Sequence, residues 1–271
     1  MITEKFEQLS KEIWSKITAA NHYSLQYGEE TITGSMLLEI VTQKFHNIKI
    51  IQTPKKKEAT QGTDWEWYVG SDTFGWIRFI IQAKKLHPVS NNYEKLDHTI
   101  TTKEGSVRQQ DLLRNYAALT GAIPLYNFYN NFPTANGKHW HCPKPFDMEL
   151  LGWTFTPLSN VESVSKIPKG KKRRVNGWCS FNKIHSIGDT FPIRCLFSCP
   201  NFRRFFTDKS LIGKPGIFLG EPFQKAAHLP RQIALARQTG IIDHFEMDSP
   251  VTNLGFYPKR IAVIDIGDEL L

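Results

Sequence analysis

The sequence predicts an α/β fold, a β-sheet with helices packed on its faces. Two observations carry that expectation. Residues 1–130 read in the order helix, three strands, helix, strand, and two apolar-rich runs, TDWEWYV at 63–69 and WIRFIIQAKK at 76–85, read as a hairpin.

The elements follow in order. Residues 2–20 set Phe6, Leu9, Ile13, Trp14 and Ile17 at helical spacing, which buries one face. A polar break runs from Asn21 to Gly28. Thr33 is then placed to cap a second helix with Leu37, Ile40, Val41 and Phe45 as its inward stripe. NIKIIQT, at 47–53, alternates like a strand and stops at Pro54. The hairpin comes next, turning through Gly70 to Gly75. Residues 87–105 read as a polar loop with a turn of helix near Tyr93 to Leu96. VRQQDLLRNYAALTG, at 107–121, is a helix with Leu112, Tyr116 and Leu119 inward and Gly121 as its stop. IPLYNFYN, at 123–130, is a strand that tolerates Pro124 near its start.

After Asn131 the texture changes to proline, glycine, asparagine and aromatic residues. Pro157 to Arg174 reads as a basic loop, FPIRCLFS at 191–198 as a strand, and RQIALARQTG from 231 as a helix started by Pro230. KRIAVIDIG, at 259–267, reads as a further strand. Residues 1–130 are therefore taken as the core with its N-terminal helix. Residues 131–271 are a mixed α/β elaboration or a second subdomain.

Bulk properties narrow the function classes. At 40% hydrophobic and 22% charged residues, with 18 Phe and 7 Trp, the chain has the makings of a packed core. It has no apolar run of roughly 18 residues to cross a membrane, and its start, MITEKFEQLSKEIW, is unlike a secretory signal, so the expected location is the cytoplasm. The net charge of +8 favours a polyanionic partner. Positive residues gather at Lys55, Lys56 and Lys57 and again at Lys169, Lys171, Lys172, Arg173 and Arg174. Taken singly, each cluster is equally well a solvated loop.

Four cysteines stand at 142, 179, 195 and 199. His139 and His141 precede Cys142, and Cys195 and Cys199 have C-x3-C spacing, but the paired knuckles of a strong zinc signal are missing. Buried reduced thiols are the preferred reading, with structural zinc the minority one. The histidines form no His-x-Glu or Ser/His/Asp set. GKPG at 213–216 lacks the spacing of a phosphate-binding loop, which disfavours nucleotide hydrolysis.

The hairpin carries the chemistry. Strand side chains alternate, so Asp64 and Glu66 share one face of the first strand, and Gln82 and Lys84 one face of the second. As isolated strands, Asp64 and Glu66 read first as the polar face of an exposed strand, and Lys84 with Lys85 as a charged strand end. Against that, Gln82 and Lys84 continue the apolar run IRFII, where polar groups need partners.

Asp64 with Gln82-Ala83-Lys84, set in an αβββαβ order, resembles the PD-(D/E)XK nuclease superfamily in its Gln-x-Lys form, as in Mrr-type restriction endonucleases. GEETIT, GTDWEWYV, IIQAKK and PLYNFYN are also similar to an uncharacterised bacterial family within that superfamily. The resemblance spans roughly residues 28–130. It implies a restriction-endonuclease-like core and a Mg²⁺- or Mn²⁺-dependent endonuclease, with DNA rather than RNA as substrate and a role in restriction or phage defence. It implies that Asp64, the Gln82 side chain and the Ala83 backbone carbonyl bind the cation, while Lys84 orients water and stabilises phosphate charge. As a base, Lys84 would need a pKa well below the free-lysine value of roughly 10.4.

Resolvase-like members add a glutamate from the first core helix. Glu29 is the first choice for it and Glu30 the next, with Glu39 further along. Glu66 either reaches the cation or pairs with Arg78. Gln109 and Asp111 open the second helix, where the superfamily often places polar residues near the scissile phosphate, and a solvated first helical turn explains them equally well. The sequence departs from the superfamily in having no proline before Asp64 and no second acid at Gln82. Lys55, Lys56, Lys57, Lys85, Lys171, Lys172, Arg173 and Arg174 are the expected backbone-binding residues, giving salt-sensitive binding. Cutting both strands takes two sites and points to a homodimer, with no interface legible. The alternative keeps the fold and loses the chemistry: a degenerate nucleic-acid-binding or scaffolding protein.

Overall fold

The computed structural model describes residues 1–43, 45–52, 63–96, 99–102, 105–165, 179–186, 188–239 and 260–267. Helices α1 (Ile2–His22) and α2 (Glu29–Thr42) open the chain, followed by strand β1 (Ile48–Gln52) and the hairpin β2 (Trp65–Ser71) and β3 (Gly75–Lys85). A small hairpin, β4 (Thr99–Thr102) and β5 (Gly105–Arg108), leads into α3 (Gln109–Thr120) and β6 (Ile123–Tyr129). Then come β7 (Trp153–Pro157), α4 (Leu158–Ser165), α5 (Phe181–His185), β8 (Phe191–Pro192), α6 (Cys195–Ser198) and α7 (Pro200–Thr207). A hairpin of β9 (Pro215–Phe218) and β10 (Glu221–Gln224), α8 (Arg231–Thr239) and β11 (Arg260–Asp265) follow.

A mixed seven-stranded sheet has the order β1-β11-β2-β3-β6-β7-β8. The hairpin pairs Trp65 with Ile81 and Ser71 with Gly75, which leaves Asp72, Thr73 and Phe74 as its turn. Gly70 and Gly75 flank that turn at φ 156° and 85°, conformations that side chains resist. β6 runs parallel to β3, reached through the crossover helix α3. β11 enters between β1 and β2, antiparallel to the first and parallel to the second, so the strand at 48–52 is not a direct neighbour of the hairpin.

The sheet alternation sorts the core into layers. Trp65, Trp67, Phe79 and Ile81 face α1, α2, α6 and α7 in one apolar cluster. Ile80, Tyr126 and Phe128 face α3, α4 and α5 in a second. Tyr68, Trp76, Ile261 and Val263 pack against α8 in a third. α1 approaches the turn before β7 so closely that a Cβ at Gly152 would lie 2.2 Å from the Ser10 carbonyl oxygen.

Several expectations are corrected. α2 starts from Gly28, and Thr33 lies inside the helix, where its hydroxyl meets the Tyr129 hydroxyl at 3.0 Å. Val41 is exposed rather than inward. The inner face of α3 is Gln109, Gln110, Leu113, Tyr116 and Ala117, not the Leu112–Leu119 stripe, because Gln110 is buried with partners of its own. Its side-chain nitrogen donates to the Leu96 carbonyl at 2.9 Å and to the Ser165 hydroxyl at 3.0 Å. Tyr93 is held by an isolated bridge to Leu86 rather than by a helical turn. Residues 158–165, read as loop, form α4. In the run 191–198 only Phe191 and Pro192 are strand, and Cys195–Ser198 turn into a helix. Apolar runs this short have no period that separates strand from helix.

Candidate functional site

The hairpin register puts Asp64 opposite Gln82, one step beyond the Trp65–Ile81 pair, and the Asp64 N–H donates to the Ile81 carbonyl at 3.0 Å. β2 starts there while β3 runs on to Lys85. Beyond Asp64 the described residues give β3 no strand partner on that side, so its N–H groups need other acceptors. The Ala83 N–H donates to Asp64 Oδ2 at 3.0 Å, and the Lys85 N–H to Glu29 Oε1 at 3.1 Å. N–H and C=O of one strand residue point the same way, so the Ala83 carbonyl falls between these two carboxylates. Their anchor points on β3 are about 7 Å apart, two residues of strand rise.

Glu29 reaches this edge from the first turn of α2, on the opposite face of the sheet from Gln82. Glu30 is exposed, and Glu39, lower on the helix, accepts from Gln43. The Tyr129 hydroxyl lies within electrostatic reach of both carboxylates. Burial pushes its pKa up, the Thr33 hydrogen bond opposes that, and the nearby Asp64 and Glu29 charges add to the rise while Arg260 counters them. Thr33 and Tyr129 lie inside the motifs GEETIT and PLYNFYN, but nothing in the sequence linked either to Asp64 or Glu29, and Arg260 lies far along the chain.

Gln82 is 4% exposed and fully engaged. Its side-chain nitrogen donates to Asp64 Oδ2 and lies 3.4 Å from the Ala83 carbonyl oxygen. Its carbonyl oxygen accepts from the Gln109 side chain at 2.6 Å. Gln109 Oε1 is buried and accepts no hydrogen bond among the described residues. Lys84 is 6% exposed on the Gln82 face, opposite Phe128 on β6, and among the described residues its ammonium has no hydrogen-bond or ion-pair partner. Lys85 is half-buried, and desolvation lowers its pKa against the raising effect of Glu29.

Glu66 lies away from this edge. Its oxygens take the Tyr68 hydroxyl, Arg78 at 2.9 Å and the Tyr116 hydroxyl at 3.0 Å, so it pairs with Arg78 rather than facing Asp64's neighbours. Asp111 lies on the exposed side of α3, while Gln109 points inward. Lys55, Lys56, Lys57, Lys169, Lys171, Lys172, Arg173 and Arg174 lie outside the described residues.

One histidine, His185, is built into the core. His185 is fully buried, stacked on Phe181 at 3.9 Å between ring centroids, with Nε2 3.0 Å from the Thr154 hydroxyl and Nδ1 3.1 Å from the Phe181 carbonyl oxygen. A neutral ring with Nδ1–H satisfies both partners. Burial pushes its pKa down to about 3. The unfolded chain binds this proton below about pH 6.5 and the native chain does not, so stability is lost as pH falls from there toward 3. The expected slope is about 1.4 kcal/mol per pH unit from this group, and His185→Gln should flatten it. Urea midpoints of both proteins between pH 4 and 7 check this.

An acid, a strand carbonyl and a second acid on one strand edge that has no strand partner among the described residues, beside a buried amide pair and a buried lysine, make an oxygen-rich polar site within a mixed α/β protein. The chain belongs to a family of unknown function, DUF6615, whose model matches residues 2–240 and so ends before β11. No curated protein and no solved structure matches it. Among the described residues no helix is long and apolar enough to cross a membrane.

Proposed function

We propose that the protein is a divalent-cation-dependent endonuclease that hydrolyses phosphodiester bonds in DNA, with a restriction-endonuclease-like core and a role in restriction or phage defence. One observation carries the reading: the Asp64 carboxylate, the Ala83 carbonyl and the Glu29 carboxylate border the same free edge of β3, next to a buried Lys84 with no partner among the described residues. The donors are hard oxygens, the set that suits Mg²⁺ or Mn²⁺. A cation held there would supply Lewis-acid polarisation of the phosphate and a water of lowered pKa.

The chain's own residues do the rest. Asp64 and Glu29 hold the negative charge that Gln82 lacks. Lys84 carries a buried positive charge that costs free energy without an anion, so a phosphate oxygen is its natural partner. Gln109 fixes the Gln82 amide. Lys85 and the basic segments at 55–57 and 171–174 extend the contact along the backbone, and two chains acting as a homodimer would cut both strands.

A second reading, a degenerate nucleic-acid-binding or scaffolding protein, is favoured by one detail. Asp64 Oδ2 already accepts from both the Gln82 amide and the Ala83 N–H, and the Gln82 carbonyl faces Gln109 instead of the edge. The two are separated by incubating wild type and Lys84→Ala with plasmid DNA, single-stranded DNA and RNA, in Mg²⁺, Mn²⁺ or chelator. Cation-dependent DNA cleavage that falls about 10²–10³-fold in Lys84→Ala is expected. Cleavage surviving both Lys84→Ala and chelation would sink the mechanism, and binding without cleavage would establish the second reading.

A further inference from the structure

Three of the four cysteines meet far from this edge. Cys142, Cys195 and Cys199 are buried free thiols whose sulfurs all lie within 4.8 Å of one another. Cys142 and Cys199 are 57 positions apart along the chain, and their sulfurs are 3.8 Å apart. The backbone fixes two of the three. The Cys199 N–H donates to the Cys195 carbonyl at 3.1 Å across α6, and Cys199 is also the residue from which α7 starts.

Two features of this cluster exceed what packing requires. A zinc ion with Zn–S bonds of about 2.3 Å sets its sulfurs about 3.8 Å apart, the edge of a tetrahedron. The observed Cys142–Cys199 separation has that value. The second feature is Arg194, 1% exposed, whose Nη1 donates to the Cys142 sulfur at 3.0 Å. A buried guanidinium is a costly neighbour for a neutral thiol and a favourable one for a thiolate. Three thiolates around Zn²⁺ carry one net negative charge, which Arg194 balances. Arg194 is held in turn by Glu7 of α1, which has Lys144 at 4.0 Å.

We propose that Cys142, Cys195 and Cys199 bind one zinc ion. Among the described residues no fourth histidine, cysteine or carboxylate atom joins the group. The ion fastens the loop after β6 to the α6–α7 corner, and through Arg194 and Glu7 to α1. This site is independent of the nuclease reading: its ligands are soft sulfurs, and the free edge of β3 offers hard oxygens.

The test uses the whole chain, purified under reducing conditions without a histidine tag. Elemental analysis of wild type and of Cys179→Ser, whose cysteine is outside the cluster, should give one zinc per chain. Co²⁺ replacing the zinc should give thiolate charge-transfer absorption and the strong visible bands of a tetrahedral site. Cys199→Ser should lose the metal. Should that variant fail to fold, thiol titration of native wild type decides instead: chelation should make three further thiols reactive, and added Zn²⁺ should protect them again. Wild type that carries no zinc and gives no cobalt spectrum overturns the proposal, as does a different metal bound stoichiometrically at these thiols.

Discussion

Asp64→Asn is expected to abolish DNA cleavage, by more than about 10³-fold, while leaving the fold intact. A ligand that stabilises transition-state charge through a cation is worth several kcal/mol, and about 4 kcal/mol corresponds to roughly 10³ in rate. Asparagine keeps an oxygen that can accept the Ala83 N–H bond, so the edge of β3 stays satisfied. What it removes is charge, at a site where Gln82 already supplies none. Thermal melting and cleavage measured on the same preparation separate the two effects. The melting midpoint should stay within a few degrees, and cation binding followed by calorimetry should weaken. Unchanged cleavage by Asp64→Asn would remove Asp64 from the site and the proposed cation mechanism with it.

Arg78→Met is expected to destabilise the fold by about 3–5 kcal/mol, a loss that urea unfolding reads directly. Arg78 is the only cation among the described residues paired with Glu66, which is 2% exposed in the sheet interior. Its removal leaves a buried carboxylate held only by the Tyr68 and Tyr116 hydroxyls. Both tyrosines already have their pKa pushed up, by burial first and then by the Glu66 charge. Removing both charges in Glu66→Leu/Arg78→Met should recover most of the loss, because no buried ion is then left alone. The recovery should fall short by about 1 kcal/mol for each hydroxyl that loses its acceptor. A double variant as unstable as the single one would show that packing, not charge pairing, sets this region's stability.

Much of the hairpin was legible because its signals are local: alternation, β-branched and aromatic residues, and a glycine-flanked turn. Helix α3 was legible as a helix but not in its phase. The apolar stripe through Leu112 and Leu119 was misleading because Gln109 and Gln110 are buried, and a buried amide with partners looks like surface in a sequence. Within the candidate site, the grouping of Asp64, Gln82 and Lys84 could be read from strand alternation together with the superfamily resemblance. The role of Gln109 as the partner of the Gln82 amide could not, since it depends on how α3 lies across β3. The helix at 158–165 and the break at 193–199 failed for a different reason. They are too short for periodicity to register, and tertiary packing decides them. The cysteine cluster is non-local in the same way, its sulfurs brought together by a loop and a helix corner.

The position of β11 has a consequence for how the protein is made. Among the described residues β1 hydrogen-bonds only to β11, and β2 has β11 on its outer side, so both strands wait for residues 260–265. At translation speeds of about 5–20 residues per second, roughly 10–40 s separate the emergence of Ser71 from that of Asp265. Through that interval the strand that presents Asp64 has one unpaired edge, an invitation to mispair with other nascent chains that a chaperone would have to cover. On the proposed activity, the cell would not meet a working nuclease until the strand that locks its centre had left the ribosome.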